Sequence, residues 1–475
     1  MSERQQGSQP VDGPRATLGT AERLTVQTVS AGEPAFDDHR PPSAELASDC
    51  VHCGFCLPAC PTYTLWGEEM DSPRGRIYLM NEGLQGEPMT PAMVQHFDAC
   101  LGCMACVTAC PSGVQYDKLI EATRAQVERR YDRPWADRAL RRAIFALFPY
   151  PKRLRLMRVP LRLYHASGLS PLLRRSAGLQ RLSPTLAAME SLAPAPSRAE
   201  RVPEHTAART ERRGTVGLLL GCVQREFFPG VNAATARVLS AEGFDVITPA
   251  AQGCCGALSA HNGREAEAQG FARALIDTFE GAAVDTVVVN SAGCGSSMKE
   301  YADLLSDDHA YAARAGAFAD KVRDISEILF DAGPVAPRHP IPVSVAYHDA
   351  CHLAHAQGVR AQPRALLRGI PGLELREIPE GDLCCGSAGI YNLLNPAPAR
   401  ELGERKATNV LSTQAQLLVT ANPGCLMQVA SAMERTGQPI ATAHTIEVLD
   451  ASIRGLAPDQ LGVAPSAQPA SRPSV

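Results

Sequence analysis

The number and spacing of cysteines constrain this chain more than any other feature. Its 475 residues include 16 cysteines. Eight of them form two runs with the same spacing, C-x2-C-x2-C-x3-C, each followed by proline. The thiols of the two runs are Cys50, Cys53, Cys56 and Cys60, and Cys100, Cys103, Cys106 and Cys110. Any fold of this chain must hold two compact groups of thiols.

The surroundings predicted for these thiols exclude disulfides. The amino terminus, MSERQQGSQPVDGPRATLGT, has no apolar segment after its charges, so we predict no secretory signal. No apolar run reaches the roughly 18 residues of a membrane-spanning helix. We therefore expect a cytoplasmic protein, where disulfides do not persist and cysteines hold metal or do redox chemistry. A net charge of -4 argues against nucleic-acid binding.

The spacing of each run is typical of a bacterial two-cluster ferredoxin. In that pattern three thiolates of a run bind one 4Fe-4S cluster and the fourth crosses to the other. Pro61 and Pro111 turn the chain away, and Gly54 and Gly102 permit close approach of the backbone to sulfide. A pair of zinc knuckles is the alternative, although these have longer gaps. The predicted ligands are Cys50, Cys53, Cys56 and Cys110 for cluster one, and Cys60, Cys100, Cys103 and Cys106 for cluster two.

The segment between the two runs is long enough for one or two helices. Ser72 followed by Pro73 predicts a helix start. Arg74 and Arg76 then place positive charge close to a cluster, where it would raise the reduction potential or dock a partner. The alternative is that both are ordinary exposed arginines.

A basic connector follows. Between Lys118 and Arg213 there are 21 Lys and Arg against 8 Asp and Glu. Within it, residues 139–169 alternate apolar and Arg positions at helical spacing, with predicted breaks at Pro149, Pro151 and Pro160. One interpretation is short helices with solvated arginines. The other is a docking surface for an acidic partner or, peripherally, for the anionic inner face of the cell membrane.

From residue 214 short apolar strands alternate with helices, which predicts parallel sheets. The strand-like segments are 215–223, 244–250, 285–290, 342–351 and 416–425, and residues 264–281 have helical period. Cysteines recur at a nearly constant interval of about 130 residues, which makes an internal duplication the simplest explanation. Cys351 thus matches Cys222, Cys384 matches Cys254 and Cys425 matches Cys294, and ISEIL (325–329) is echoed by IEVL (446–449).

Each repeat carries a cysteine after a strand, a Cys-Cys-Gly triplet and a further cysteine. Because the carboxyl ends of parallel strands share one crevice, four sulfurs should converge in each repeat. They could bind an iron-sulfur cluster or zinc, or serve as small buried apolar side chains. The candidate cofactor-binding residues are Cys222, Cys254, Cys255 and Cys294 in the first repeat, and Cys351, Cys384, Cys385 and Cys425 in the second.

Five histidines lie near these sets and are either ligands, proton carriers or hydrogen-bonded scaffold. They are His261, His348, His352, His355 and His444.

The predicted fold class is α/β plus an α-helical ferredoxin domain. The predicted organisation is a disordered tail (1–42), a two-cluster ferredoxin-type domain (43–125), a basic helical connector (126–213), two α/β Cys-Cys-Gly repeats (214–340 and 341–455) and a second disordered tail (456–475).

These motifs together resemble the iron-sulfur subunits of glycolate oxidase. The resemblance covers residues 48 to about 453 and rests on CVHCGFCLPACPTYTLWGEEMDSPRGRIYLM, CLGCMACVTACPSGVQY and the two CCG triplets. The family is similar to subunits of anaerobic glycerol-3-phosphate dehydrogenase, heterodisulfide reductase and lactate-utilisation complexes. This chain departs from the fullest CCG pattern, which ends C-x-x-C, because Cys294 and Cys425 have no second cysteine after them.

The resemblance implies the electron-transfer component of a glycolate dehydrogenase complex. Two 4Fe-4S clusters, with a further cluster in the CCG repeats as an open alternative, would carry electrons from a partner FAD subunit to an acceptor such as quinone. No G-x-G-x-x-G follows a predicted strand, so flavin and nicotinamide must bind elsewhere, and we expect no catalytic residue here. D-lactate or glycerol-3-phosphate as the substrate, disulfide chemistry at a CCG site, and a zinc-stabilised assembly protein are the alternatives.

Overall fold

The computed structural model of the chain describes residues 33–169, 183–193 and 200–463. Its amino-terminal part is helical. The helices are α1 (Ala44–Ser48), α2 (Pro61–Trp66), α3 (Pro73–Leu84), α4 (Pro91–Ala99), α5 (Ala105–Ala109) and α6 (Tyr116–Arg130), with a 3-10 turn at Glu69–Asp71. Met80, Phe97 and Leu119 are fully buried between them. Ser72 caps α3 by accepting the Gly75 amide at 3.0 Å, which confirms the helix start predicted at Pro73.

The basic connector is helical in the residues that the structure describes. It contains α7 (Trp135–Leu147), α8 (Pro151–Ala166) and α9 (Pro184–Ser191). The predicted breaks at Pro149 and Pro151 lie between α7 and α8, but the break at Pro160 is wrong, since α8 continues through it. A proline removes one helical hydrogen bond, and the turns on either side are sufficient to continue α8. The boundary predicted at 125/126 falls inside α6, which continues to Arg130.

The carboxyl-terminal part contains two open sheets of matching topology. The first is formed by β1 (His205–Thr206), β2 (Gly214–Leu218), β3 (Phe244–Ile247), β4 (Thr286–Val289) and β5 (Val322–Asp324), in the order β1-β3-β2-β4-β5. The second is formed by β6 (Ser344–His348), β7 (Glu374–Glu377), β8 (Leu417–Thr420) and β9 (Ala441–His444), in the order β7-β6-β8-β9. All described pairings are parallel except that of β1, which confirms the predicted parallel sheets.

Helices flank both sheets. In the first repeat they are α10 (Val223–Phe227), α11 (Pro229–Ala241), α12 (Ala257–Ala260), α13 (Glu265–Gly281), α14 (Ala292–Lys299), α15 (Tyr301–Leu304), α16 (Ala312–Ala319) and α17 (Ile325–Ala332). In the second they are a π-helical turn (His352–Ala356), α18 (Ala361–Arg368), α19 (Tyr391–Leu394), α20 (Pro396–Ser412), α21 (Pro423–Arg435) and α22 (Thr445–Arg454), followed by a 3-10 turn (Pro458–Leu461).

The two repeats pack through equivalent helices. Helix α11 contacts α22, and α17 contacts α18. Helices α11 and α18 are equivalent, because each follows the first strand of its repeat. Helices α17 and α22 are equivalent too, because each follows the last strand. In both contacts, therefore, the helix after the first strand of one repeat packs on the helix after the last strand of the other. Both sheets contribute to one core, with Leu218 and Tyr347 buried in it. The repeats therefore form a pseudo-symmetric pair.

Both predicted disordered tails overlap packed chain. Residues 1–32 and 464–475 lie outside the described residues. In residues 33–42, Ala35 is fully buried, and the Asp37 carboxylate accepts hydrogen bonds from Gln126 and Arg129. Leu456 and Val463 pack on the repeat core at the other end. The prediction of disorder is therefore wrong for 33–42 and 456–463, because a few apolar and charged side chains in these polar segments find partners on neighbouring helices.

Within residues 33–169, 183–193 and 200–463, no helix is both long and apolar enough to cross a membrane.

Candidate metal centres

The structure groups the ferredoxin-type cysteines into two cavities. Cys50, Cys53, Cys56 and Cys110 line one. Cys60, Cys100, Cys103 and Cys106 line the other. Each cavity thus takes three thiols from one run and the fourth from the other, which is the grouping predicted from the spacing. All eight are free thiols.

Left-handed backbone wraps each loop around its cavity. In the first run His52 has φ 52° and Gly54 has φ 88°, and in the second Gly102 has φ 62° and Met104 has φ 61°. These are the residues two and four positions after the first cysteine of each run. Repeated at equivalent positions, this uncommon conformation turns successive backbone segments inward, as a cluster-binding loop requires.

One arginine lines each cavity, and neither is an ordinary exposed side chain. Arg74 pairs with Glu69 at 2.6 Å and donates to the His52 carbonyl at 2.9 Å, beside the first cavity. Arg76 is fully buried at the second cavity and donates to Asp71, Thr62 and the His96 carbonyl. The alternative of exposed arginines is therefore wrong for both, and Arg76 places a fixed positive charge beside the predicted cluster two.

Burial and charge act in opposite directions on the thiols. Burial raises the pKa of Cys56 to about 11 and also raises the pKa values of Cys103 and Cys106. At Cys100 burial also opposes ionisation, but the charges of Arg76 and Arg124 outweigh it, so its pKa is lowered. Metal binding would explain the burial of these thiols. Iron would replace their protons, because thiolates are the ligands of iron-sulfur clusters.

The two cavities and the thiols of the second repeat lie next to one another in space. Cys56 of the first cavity and Cys106 of the second are close enough to influence each other's ionisation. The pKa of Cys103 is raised first by burial and then by the nearby charge of Cys351 in the second repeat. Leu101 and Cys103 pack with Cys351 and Cys384 in one buried cluster. Three groups of thiols therefore form a continuous path from the ferredoxin part into the second repeat.

The four cysteines of the first repeat converge as expected. The Cys254 and Cys222 sulfurs are 3.6 Å apart, Cys254 also contacts Cys255, and Cys255 contacts Cys294. Cys222 follows β2, the Cys-Cys pair follows β3 and Cys294 follows β4. Contacts with the neighbouring thiol and burial raise the pKa values of Cys254, Cys255 and Cys294.

The second repeat reproduces this chain of thiols with an additional imidazole. Cys384 contacts Cys351 and Cys385, and Cys385 contacts Cys425. His348, at the end of β6, joins them: one ligand atom each of His348, Cys385 and Cys425 lies within 4.8 Å of the others. The neighbouring Cys384, Cys425 and His348 side chains hold the pKa of Cys385 well below its usual range, although burial opposes this.

The other four histidines serve as scaffold or line an interdomain boundary. His444 accepts the Ile446 amide through Nδ1, and its Nε2 donates to the Asn290 carbonyl at 2.9 Å. His261 pairs with Glu121 at 2.7 Å and packs against His352, with ring centroids 4.8 Å apart. His355 is hydrogen-bonded to Thr108 of α5 at 3.0 Å. Only His348 among the five lies against the sulfurs of the described chain.

Several residues that line these sites were not singled out in the sequence. The Tyr116 hydroxyl donates to the Cys100 sulfur at 3.7 Å, and Arg124 donates to the Cys100 carbonyl at 2.5 Å. Thr62 lies 3.2 Å from the Cys60 sulfur, and Lys406 is buried beside the second-repeat thiols. In the sequence, only Lys406 could have been noticed, because it is a lysine among the apolar positions of α20.

The helical dicluster domain, the pseudo-symmetric cysteine-rich repeats and the path of thiols between them define a class of protein: an iron-sulfur protein of electron transfer. Family models match the same parts of the chain. A "4Fe-4S dicluster domain" matches residues 46–114 and a "Cysteine-rich domain" matches residues 216–299 and 345–430. The "Glycolate oxidase iron-sulfur subunit, linker region" matches residues 136–193, within the basic connector.

Curated relatives cover most of the chain. The "Probable glycolate oxidase iron-sulfur subunit" of Bacillus subtilis (strain 168) is 37% identical over 398 residues, which are 82% of this chain and 89% of that protein. The "Glycolate oxidase iron-sulfur subunit" of Escherichia coli (strain K12) is 35% identical over 85% of this chain and 93% of that protein. "Lactate utilization protein A" of Exiguobacterium sp. is 30% identical over 50% of this chain and 98% of that protein. The chain belongs to the family of glycolate oxidase iron-sulfur subunits.

Proposed function

We propose that this chain is the electron-transfer subunit of a complex that oxidises glycolate to glyoxylate. Oxidation of the alcohol carbon releases two electrons and two protons, which a flavin on a partner subunit would accept. This chain would then take the electrons one at a time. The observation that carries the proposal is the continuous path from the two ferredoxin-type cavities to the second-repeat thiols through Cys103 and Cys351.

The ligand assignment is part of this proposal. Cys50, Cys53, Cys56 and Cys110 would hold cluster one, and Cys60, Cys100, Cys103 and Cys106 would hold cluster two. The shared cavities support these sets. The clusters supply one-electron transfer, while Arg76 and Arg124 offset the negative charge on the buried thiolates of cluster two.

The test is coexpression with the flavoprotein encoded beside it, followed by anaerobic addition of glycolate. The proposal expects copurification with an FAD protein and reduction of the clusters by glycolate, with D-lactate as the comparison substrate. Faster reduction by D-lactate would move the assignment to another 2-hydroxy acid. Failure of any flavoprotein to associate would contradict the role as a dehydrogenase subunit.

A quinone acceptor would place the complex at a membrane surface, and α8 has the composition for such contact. It exposes Leu156, Val159 and Leu163, which are 73%, 60% and 67% exposed, between basic side chains such as Arg153 and Arg162. Basic amphipathic helices bind anionic lipid. We therefore include peripheral membrane contact through α8 in the proposal.

Vesicle flotation checks this contact. The full chain should bind vesicles containing anionic lipid more strongly than neutral ones, and Leu156→Glu with Leu163→Glu should reduce the binding. Equal binding by wild type and variant would remove α8 from the proposed membrane contact and leave the connector as a set of solvated helices.

A further inference from the structure

His348 is a buried histidine without a hydrogen-bond partner. Its side chain is 1% exposed, and neither Nδ1 nor Nε2 has a partner among the described residues. Burial of a polar atom without a hydrogen bond destabilises the folded chain. One nitrogen of this ring lies within 4.8 Å of the Cys385 and Cys425 sulfurs. A metal ion bound by these three side chains would satisfy one ring nitrogen.

The first repeat provides an internal comparison. Cys222 and Cys351 are equivalent cysteines, and Leu219 stands at the third position before Cys222 as His348 does before Cys351. Leu219 is 2% exposed and packs in one apolar cluster with Cys255. The same place against the Cys-Cys pair is therefore occupied by an apolar side chain in one repeat and by an imidazole in the other.

A second difference between the repeats points the same way. Ala268 contacts Gly256 in the same manner as Ala399 contacts Gly386, so the two alanines are equivalent. Leu275 stands at the seventh position after the first alanine and Lys406 at the seventh after the second. Leu275 and Lys406 are each 1% exposed. A lysine is almost never fully buried unless its charge is compensated.

Lys406 does not obtain that compensation from its hydrogen bonds. Its ammonium donates to the main-chain carbonyls of Glu380 and Gly381, at 2.6 Å and 3.4 Å. The ionisable side chains near this ammonium are those of Cys351, Cys384, Cys385 and Glu380. The Glu380 carboxylate is already paired with Arg405. A buried lysine near several thiols is expected where those thiols carry negative charge.

We propose that His348 is a nitrogen ligand of an iron-sulfur centre in the second repeat, with Cys385 and Cys425 as thiolate ligands and Lys406 as the buried counter-charge. The first repeat has Leu219 and Leu275 at the equivalent positions, so it has neither the imidazole ligand nor the buried cation. Iron fits the site better than zinc because the thiols continue the path from Cys103. This inference rests on the proposed electron-transfer function and deepens it, since it assigns a third redox centre to one particular repeat.

A histidine ligand has a measurable consequence. Replacing thiolate by imidazole ligands raises the reduction potential of an iron-sulfur centre. The second-repeat centre should therefore have a higher potential with His348 as its ligand than after His348→Cys, which restores a thiolate. The buried Lys406 acts in the same direction by favouring the reduced form.

The experiment uses the full chain copurified with its partner, prepared anaerobically and labelled with 15N-histidine. Pulsed electron paramagnetic resonance on the reduced protein should show the strong coupling of a metal-bound imidazole nitrogen. His348→Cys should abolish that coupling, retain the iron and lower the potential of one centre. His348→Leu, which copies the first repeat, should lose the coupling together with the iron and sulfide of the second repeat.

Two control variants accompany these changes. His352→Leu alters another histidine of the same repeat and should retain the nitrogen coupling. Leu219→Ala alters the equivalent place in the first repeat and should leave the iron content unchanged. Lys406→Leu should lower the potential of the nitrogen-coupled centre and of no other.

The outcomes separate this inference from the proposed function. A nitrogen coupling that survives in both His348 variants, or zinc in place of iron in the second repeat, overturns the assignment of His348 while the two ferredoxin-type signals persist. If those two signals are themselves missing from the wild type, the electron-transfer function fails as well.

Discussion

Cys60 belongs to the first run by sequence, but its side chain lies in the cavity of the second. Cys110 shows the reverse placement. Cys60 is the residue before α2, and Cys110 is the residue after α5. The crossing is therefore a property of two residues that single substitutions can test.

Cys60→Ser should damage cluster two, whose other ligands all belong to the second run. The signal from the Cys50 run should persist because its four thiols are intact. Electron paramagnetic resonance of the reduced variant measures this, and Cys110→Ser is the matched control that should damage cluster one. Loss of the Cys50 signal in Cys60→Ser would refute the crossing.

His444 should make the fold sensitive to acid. Burial lowers its pKa from 6.5 to about 4, so the neutral ring is required in the native state. A histidine with a depressed pKa contributes its full stability above pH 6.5 and loses it as the pH falls toward 4. This difference in pKa corresponds to about 3 kcal/mol of unfolding free energy.

Urea unfolding at several pH values measures this contribution. The unfolding free energy of the wild type should fall more steeply between pH 6.5 and 4 than that of His444→Gln, which has no titrating ring. Parallel curves for the two proteins would show that His444 does not supply the acid sensitivity.

At the residue scale the thiols were predictable and their neighbours were not. Cysteine spacing is a local property of the chain, so the sets of thiols that share each cavity followed from it. The burial of Arg76 depends on Asp71, Thr62 and the His96 carbonyl, which come together only in the folded domain. Likewise, His348 and His444 both end strands, and only the fold places His348 against the sulfurs of Cys385 and Cys425.

The turn after each Cys-Cys pair shows how an element positions the thiols. Gly386 has φ +86°, and an added Cβ would lie 2.6 Å from the Ala399 carbonyl oxygen of α20. Gly256 makes the equivalent approach to Ala268 of α13, at 3.1 Å. Helix and Cys-Cys loop are thus packed backbone to backbone, and only glycine fits between them.

Gly386→Ala should therefore destabilise the protein more than Gly437→Ala. Both positions have positive φ, but Gly437 has nothing within 4 Å of an added Cβ. The additional overpacking at Gly386 should cost about 1–3 kcal/mol. Thermal or urea unfolding of the two variants checks the difference, and equal losses would show that the conformation alone, and not the contact with α20, requires glycine at 386.

The strength of the local pattern decided which elements could be predicted. The apolar strands β2, β3, β4, β6 and β8 and the periodic helix α13 lie where their sequences indicate. The strand β5, Val322–Asp324, is short and partly charged, and its place at the sheet edge comes from pairing with β4. The strand β9 is also at a sheet edge, where it pairs with β8.

The arrangement of the domains is the part that the sequence could not provide. The regular recurrence of the cysteines predicts two repeats but not their exchange of equivalent helices. The contact of Cys103 with the second repeat also depends on packing between distant segments. This contact places the thiols of the dicluster domain beside those of the second repeat.

The central claim is that the ferredoxin-type cysteines hold two iron-sulfur clusters, and one measurement tests it most directly. Iron and acid-labile sulfide should be determined on the anaerobically purified full chain, together with its electron paramagnetic resonance spectrum after reduction. We expect a brown protein with about eight or more iron atoms per chain and matching sulfide, from two four-iron clusters. A colourless protein that contains zinc and no iron would contradict the account.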